Sequence, residues 1–305
     1  MTKRLFTLMI TLFLGSCFFF TSCNDDDDDH KPDVVTLYDL IYESDDHTIL
    51  LTAIKEAGLE EVFKSPNLIN TLFAPTDAAF EKLPEGTLDL LLDDPMNLLS
   101  PILLYHVINS KVTSADLTNG MIVEMADGQK AMISIQGAVV MINNATVTGA
   151  DLEAENGVIH VINEVLLPPT NTVYEEIAET EMLSTLKVAI DAATLDEALS
   201  DEKGTFTLFA PTDDAFDGLP AGTVTSLLTQ PDVLANILFY HALSKEVFSS
   251  QLTNSMVETM NGQDVTIKLE NGNVYVNDAQ VIIADIICTN GVVHIINKVL
   301  LPPTE

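Results

Sequence analysis

Residues Thr71 to Phe80 read Thr-Leu-Phe-Ala-Pro-Thr-Asp-Ala-Ala-Phe, and Thr207 to Phe216 repeat them with Asp214 in place of Ala78. Two further landmarks recur in the same order. Tyr105-His106 returns as Tyr240-His241, and the stretch from Asn156 to Pro169 returns from Asn290 to Pro303. The offset is 136 residues at the first landmark and 134 at the last. That period is too long for a solenoid unit and suits a duplicated globular domain. The chain is therefore expected to fold as two similar domains, residues 34–169 and 170–305, each long enough to bury a core of its own.

Residues 1–22 begin with Lys3 and Arg4, continue through a mostly apolar run from Leu5 to Phe20, and end in small residues before Cys23. This is the layout of an export signal. A membrane-spanning helix is the weaker reading, because the run falls short of the roughly 18 to 20 apolar residues a span requires and is interrupted by Thr7 and Thr11. Phe20-Thr-Ser-Cys23, followed by Asn24 and the aspartates 25–29, resembles the cleavage site and acidic start of a bacterial lipoprotein, in particular the surface lipoproteins of the Bacteroides group. Cys23 is then the lipidated residue, with Cys17 the alternative. The acidic stretch 23–33 reads as a solvated spacer that holds the first domain within roughly 30 Å of the lipid. The implied location is the outer membrane facing outward, with a periplasm-facing orientation as the alternative.

The formal charge is −33, and without Lys3 and Arg4 the chain has no arginine. A nucleic acid partner is excluded, since there is no basic cluster to neutralise phosphates. With Cys17 removed and Cys23 acylated, Cys288 stands alone in an apolar, β-rich run and reads as a buried structural thiol. No internal disulfide is available to either domain.

Each repeat opens with helical periodicity: Leu37, Leu40, Ile41, Leu50, Ile54 and Leu59 in the first, and Leu186, Ile190 and Leu195 in the second. A short strand, Thr71 to Ala74 or Thr207 to Ala210, is stopped by proline. Thr76-Asp77 and Thr212-Asp213 then suit a helix N-terminus. Helix is expected from Asn97 to Val107 and from Thr225 to Tyr240. Strands are expected at 121–125, 131–136, 138–143 and 158–167, and again at 265–269, 273–276, 281–288 and 292–301, with Asp127-Gly128 and Asn271-Gly272 as turns. Helices followed by strands, twice, give an α+β architecture. Pro168 to Thr172 is a short, proline-stiffened join that leaves little free tumbling.

The Thr-Leu-Phe-Ala-Pro-Thr-Asp box, the Tyr-His pair and the Asn-Gly-Val-Ile-His box ending in Leu-Leu-Pro-Pro together resemble the signatures of fasciclin-like domains over residues 34–303. The resemblance implies, for each copy, several helices packed on two small angled sheets, in secreted or lipid-anchored surface proteins that mediate adhesion without catalysis. It also marks Tyr105, His106, Tyr240 and His241 as candidate adhesive residues. Asn163 and Asn297 stand where family members commonly carry aspartate, which puts in doubt any role there that needs a carboxylate.

His160 and His294 lie within apolar strands, where a buried, hydrogen-bonded ring is the usual reading. They join Thr76, Asp77, Thr212 and Asp213 as structural motif residues, and His106 and His241 are placed to bond Asp77 and Asp213. Tyr105 follows three apolar residues and reads as core. Metal-ligand spacing, phosphate loops and nucleophile elbows are absent from the sequence, so no catalytic residue, metal or cofactor is assigned; weak divalent binding by surface carboxylates stays open. Asn144-Ala-Thr146 reads as an ordinary turn. These observations lead to a non-catalytic adhesion or binding lipoprotein with an unidentified protein or glycan ligand. The alternative is an accessory subunit of an outer-membrane glycan or nutrient-capture assembly, with a hydrolase a distant third.

Overall fold

The structure, a computed structural model, describes residues 34–303. The expected leader 1–22, the lipidation sites Cys23 and Cys17 and the spacer 23–33 lie outside the described residues. In the first repeat the order is α1 (Leu37–Tyr42), α2 (Thr48–Glu56), α3 (Glu60–Lys64), β1 (Asn70–Pro75), α4 (Asp77–Phe80), α5 (Thr87–Asp93), a π-helical turn (Pro95–Leu99), α6 (Ser100–Leu104), β2 (Val107–Ile108), β3 (Ile122–Glu124), β4 (Lys130–Gln136), β5 (Val139–Ile142), β6 (Ala145–Ala154) and β7 (Gly157–Ile162).

The second repeat follows the same plan. It runs α7 (Val173–Glu179), α8 (Ser184–Ala192), α9 (Asp196–Leu199), β8 (Phe206–Pro211), α10 (Asp213–Asp217), α11 (Thr223–Leu227), α12 (Pro231–Tyr240), β9 (Ala242–Leu243), β10 (Ser255–Glu258), β11 (Asp264–Glu270), β12 (Asn273–Val276), β13 (Ala279–Cys288) and β14 (Gly291–Ile296). Short 3-10 turns precede α8 and β10.

Each repeat is strung on one seven-stranded sheet, in the order β2-β1-β7-β6-β5-β4-β3 for the first. The two small sheets implied by the family are two halves of this ribbon. The long strand β6 links them, pairing with β5 at Ala145 and with β7 up to Ala154. Register shifts within it mark bulges, which bend a sheet and raise its twist. Each half carries its own core. Leu72, Ala74 and Ile159 pack against the helices, whereas Phe73 and Ile162 pack with Tyr105 and Ile133 on the other side. Strand β1 is therefore buried along its whole length, which is why it reads as an apolar run rather than an alternation.

Three sequence expectations are corrected. The helix expected from Asn97 to Val107 is a π-helical turn followed by a short helix ending at Leu104, with Val107 already in β2. The strand expected to run to Leu167 stops at Ile162. Strand β6 was not foreseen, because Thr146, Thr148, Asp151 and Glu153 dilute its apolar pattern while its backbone completes both halves of the sheet.

Candidate functional site

The Tyr-His pair closes the helix that leads into β2. The Tyr105 hydroxyl donates to the Lys130 carbonyl at 2.7 Å and accepts from Asn143 Nδ2 at 2.9 Å. Burial pushes its pKa up to about 12. His106 Nε2 accepts from the Leu166 amide at 2.9 Å, so Nδ1 carries the proton and donates to the Ile102 carbonyl at 2.7 Å. Burial lowers the pKa of this imidazole to about 4, and it is neutral in the fold. Tyr240 and His241 repeat the arrangement with Asp264, Asn277, Leu300 and Ile237, and His241 is likewise lowered to about 4. All four side chains are buried.

The expected bonds from His106 to Asp77 and from His241 to Asp213 are not made. Both imidazoles spend their two nitrogens on backbone groups, and the carboxylates are turned to other helices. Asp77 accepts from Thr48 Oγ1 at 2.6 Å and from the Ile49 amide at 2.8 Å, which holds the start of α2. Asp213 does the same for α8 through Ser184 and Thr185. Partial burial pushes both carboxyls up, and these hydrogen bonds outweigh it, leaving each below the ordinary carboxylate range. Thr76 and Thr212 cap their own helices, each accepting from an amide at 3.2 Å. The box thus ties three elements together: the strand, the helix it begins, and an earlier helix.

His160 Nε2 lies 2.9 Å from the Val112 carbonyl and its ring packs on Phe73; His294 repeats this with Val247 and Phe209. The free nitrogens face the amides of Asp151 and Asp285, at 3.4 and 3.1 Å. These two aspartates adopt left-handed backbone angles, φ 59° and 62°, at the β6 and β13 bulges. Their carboxylates accept from the Ser114 and Ser249 amides at 2.8 and 2.7 Å, and from the same hydroxyls. Sequence reasoning missed them; Asp285 left a signal as an acidic residue inside an apolar strand, whereas Asp151 is masked by the polar residues around it in β6.

It also missed Asn156, whose Oδ1 accepts from the Leu37 amide while Nδ2 donates to the Phe63 and Ser65 carbonyls. Asn290 repeats this in the second domain. Asn163 and Asn297 act as acceptors, from the Thr146 and Gln280 amides, a task an amide oxygen performs as well as a carboxylate. Cys288 is buried, and burial pushes its thiol up to about 12.

The domains meet through a contact of mixed character. Lys130 Nζ pairs with Glu246 and lies 6.0 Å from the centre of the Phe248 ring. Ser250 Oγ donates to the Gly120 carbonyl at 2.6 Å. Beside them a groove of 420 Å³ is lined by Tyr105, Met132 and Leu167 of the first domain and by Asp285 and Ile287 of the second. Among the described residues no group of three or more acids, histidines and cysteines could hold a metal, and no helix is long and apolar enough to cross a membrane.

The fasciclin-domain family model matches residues 45–168 and again 181–302. The chain belongs to the fasciclin family. It is 34% identical over 276 residues to transforming growth factor-beta-induced protein ig-h3 of Sus scrofa, covering 88% of this chain and 38% of that protein. It is 35% identical over 102 residues to the cell surface glycolipoprotein MPB83 of Mycobacterium bovis, covering 33% of this chain and 46% of MPB83. The chain spans only 30–38% of the length of the curated relatives it matches along most of its own length. Among solved structures, the fasciclin domain pair of the insect cell adhesion molecule fasciclin I aligns with a TM-score of 0.41 at 22% identity, over 82% of this chain and 95% of that one.

Proposed function

We propose that this fasciclin protein is a non-catalytic, lipid-anchored surface protein whose paired domains bind a protein or glycan partner and so mediate adhesion. One observation carries the reading: the side chains that make the sequence motifs distinctive are committed to holding the backbone. His106, His160, His241 and His294 each use both ring nitrogens on backbone groups, leaving none for a substrate or an ion. Asp77 and Asp213 are equally committed. What remains for function is surface. The similarity to MPB83, a cell surface glycolipoprotein, favours the same reading.

In this proposal Tyr105, His106, Tyr240 and His241 act from beneath, fixing the surface laid over them. The lipid sits on Cys23, and the domains face outward from the outer membrane. The strong negative charge selects a partner with a cationic or neutral face. Fatty-acid labelling of the wild type and of Cys23→Ala, with protease shaving of intact cells, tests the anchor and its orientation. Label lost in the variant and cleavage in intact cells are expected. Label retained would move the lipid to Cys17, and protection would turn the protein inward. Cross-linking on intact cells followed by purification should recover a partner from the wild type. Failure to recover any protein or glycan would count against adhesion.

A further inference from the structure

The repeat makes it possible to compare the surfaces the domains use on each other with the corresponding surfaces left free. The first domain presents Lys130, whose carbonyl accepts from Tyr105; in the second domain the carbonyl that accepts from Tyr240 belongs to Asp264. The second domain presents Glu246, just before Val247, whose amide donates to Thr207; in the first domain the residue before the matching Val112 is Lys111. Two faces are engaged, and two are free. Their signs are not arbitrary. Pairing first domain with first would set Lys130 against Lys111, and second with second would set Asp264 against Glu246. Only unlike domains bring opposite charges together: Lys130 with Glu246, as observed, or Asp264 with Lys111.

We propose that a second copy of this chain docks its first domain, through Lys111, onto the free face of the second domain around Asp264, repeating the interdomain contact between molecules with the two charges exchanged. Asp264 is exposed and forms no ion pair among the described residues. Lys111 pairs with Glu153 at 3.2 Å, but that glutamate is 66% exposed, and so open a pair exchanges readily. Leu301 follows Leu300 as Leu167 follows Leu166, and keeps the same 52% exposure beside the docking position. Thr113 and Ala115 stand where the second domain has Phe248 and Ser250, so the contact between copies is weaker than the one within the chain and reversible. Because such a contact is head to tail, it continues from copy to copy unless a rotation closes it.

The net charge of −33 opposes self-association at a distance. At physiological ionic strength the Debye length is about 8 Å, which screens that repulsion while leaving a contact pair largely intact. Association is therefore expected to be stronger near 0.15 M salt than near 0.01 M, on the order of these two ionic strengths.

Sedimentation velocity on the purified full-length chain tests the proposal, with Lys111→Glu, Asp264→Lys and an equimolar mixture of the two. Wild type should show concentration-dependent growth in mass. Each reversal alone should weaken it about tenfold or more, since it creates a like-charged pair. The mixture should recover it, because Glu at 111 of one variant then meets Lys at 264 of the other. A zero-length cross-link between Lys111 and Asp264, shown to be intermolecular by mixing isotope-labelled and unlabelled chains, supplies a second readout. A wild type that sediments as one chain throughout, a single reversal that associates like the wild type, or a mixture that fails to recover would each overturn the proposal.

Discussion

The two domains share nearly every internal hydrogen bond described above and differ at two one-residue insertions, both in the first. Tyr105 lies ten residues beyond Pro95, whereas Tyr240 lies nine beyond Pro231. The extra residue is absorbed by the π-helical turn, where the Ser100 amide reaches the Pro95 carbonyl; α12 runs without one. The second insertion falls between Asn119 and Ile122, where the first domain has Gly120 and Met121 and the second, between Asn254 and Met256, has only Ser255. Gly120 is also where Ser250 docks, and a Cβ there would lie 2.4 Å from that of Ser250. The frame was copied closely, and change gathered where the copies touch each other or solvent.

The comparison can be broken most severely at Gly157 and Gly291. A Cβ on Gly157 would stand 1.9 Å from the Asn70 carbonyl oxygen, and one on Gly291 would stand 2.2 Å from that of Phe206. Gly157→Ala should cost about 4 kcal/mol or more and Gly291→Ala a similar amount, each in its own domain. Calorimetry resolving two transitions would show it; one transition moving in both variants would mean the domains unfold together.

Acid comes next. His106 and His241 have folded pKa values of about 4 against an ordinary 6.5, so the unfolded chain takes up protons first. Their contribution is complete above pH 6.5 and is lost as pH falls towards 4, roughly 3 kcal/mol for each histidine. Each domain has one further histidine whose pKa burial lowers, His47 in the first and His294 in the second. Both domains should therefore lose stability as the pH falls from 7 towards 4; thermal melts that stay flat across that range would refute this.

Asn156→Ala strands the Leu37 amide and the Phe63 carbonyl and should cost about 2–3 kcal/mol, matched by Asn290→Ala. Urea unfolding would measure both. Smallest is the interdomain pair, in which Lys130 is 41% exposed and Glu246 11%: Lys130→Ala should change stability by about 1 kcal/mol while loosening the domains. Scattering that shows an unchanged interdomain distance distribution would show that Gly120 and Ser250 suffice without it.

Much of this was legible because the repeat sampled each motif twice. The Thr-Leu-Phe-Ala-Pro-Thr-Asp box gave its strand and its helix start, and Asn271-Gly272 gave a turn whose two residues both have positive φ, 53° and 80°. Less legible were residues whose partners lie far along the chain. Asp77 looked like a cap for its own helix, but it caps one 28 residues earlier. The Tyr-His pair could be placed at a helix end, yet its partners in β4 and beyond β7 depend on how the sheet bends. Strand β6 hid its role because two bulges shift which side chains face inward.

The bond from the Leu37 amide to Asn156 Oδ1 joins residues 119 apart. During synthesis at about 5–20 residues per second, the opening helix waits roughly 6 to 24 seconds for its lock to be made. Strand β1 waits similarly for β7, its parallel neighbour, since Asn70 pairs with Gly157. The first half of a nascent domain therefore has nowhere to settle until the last strand has left the ribosome, and the chain stays threadable for most of the time it is being made.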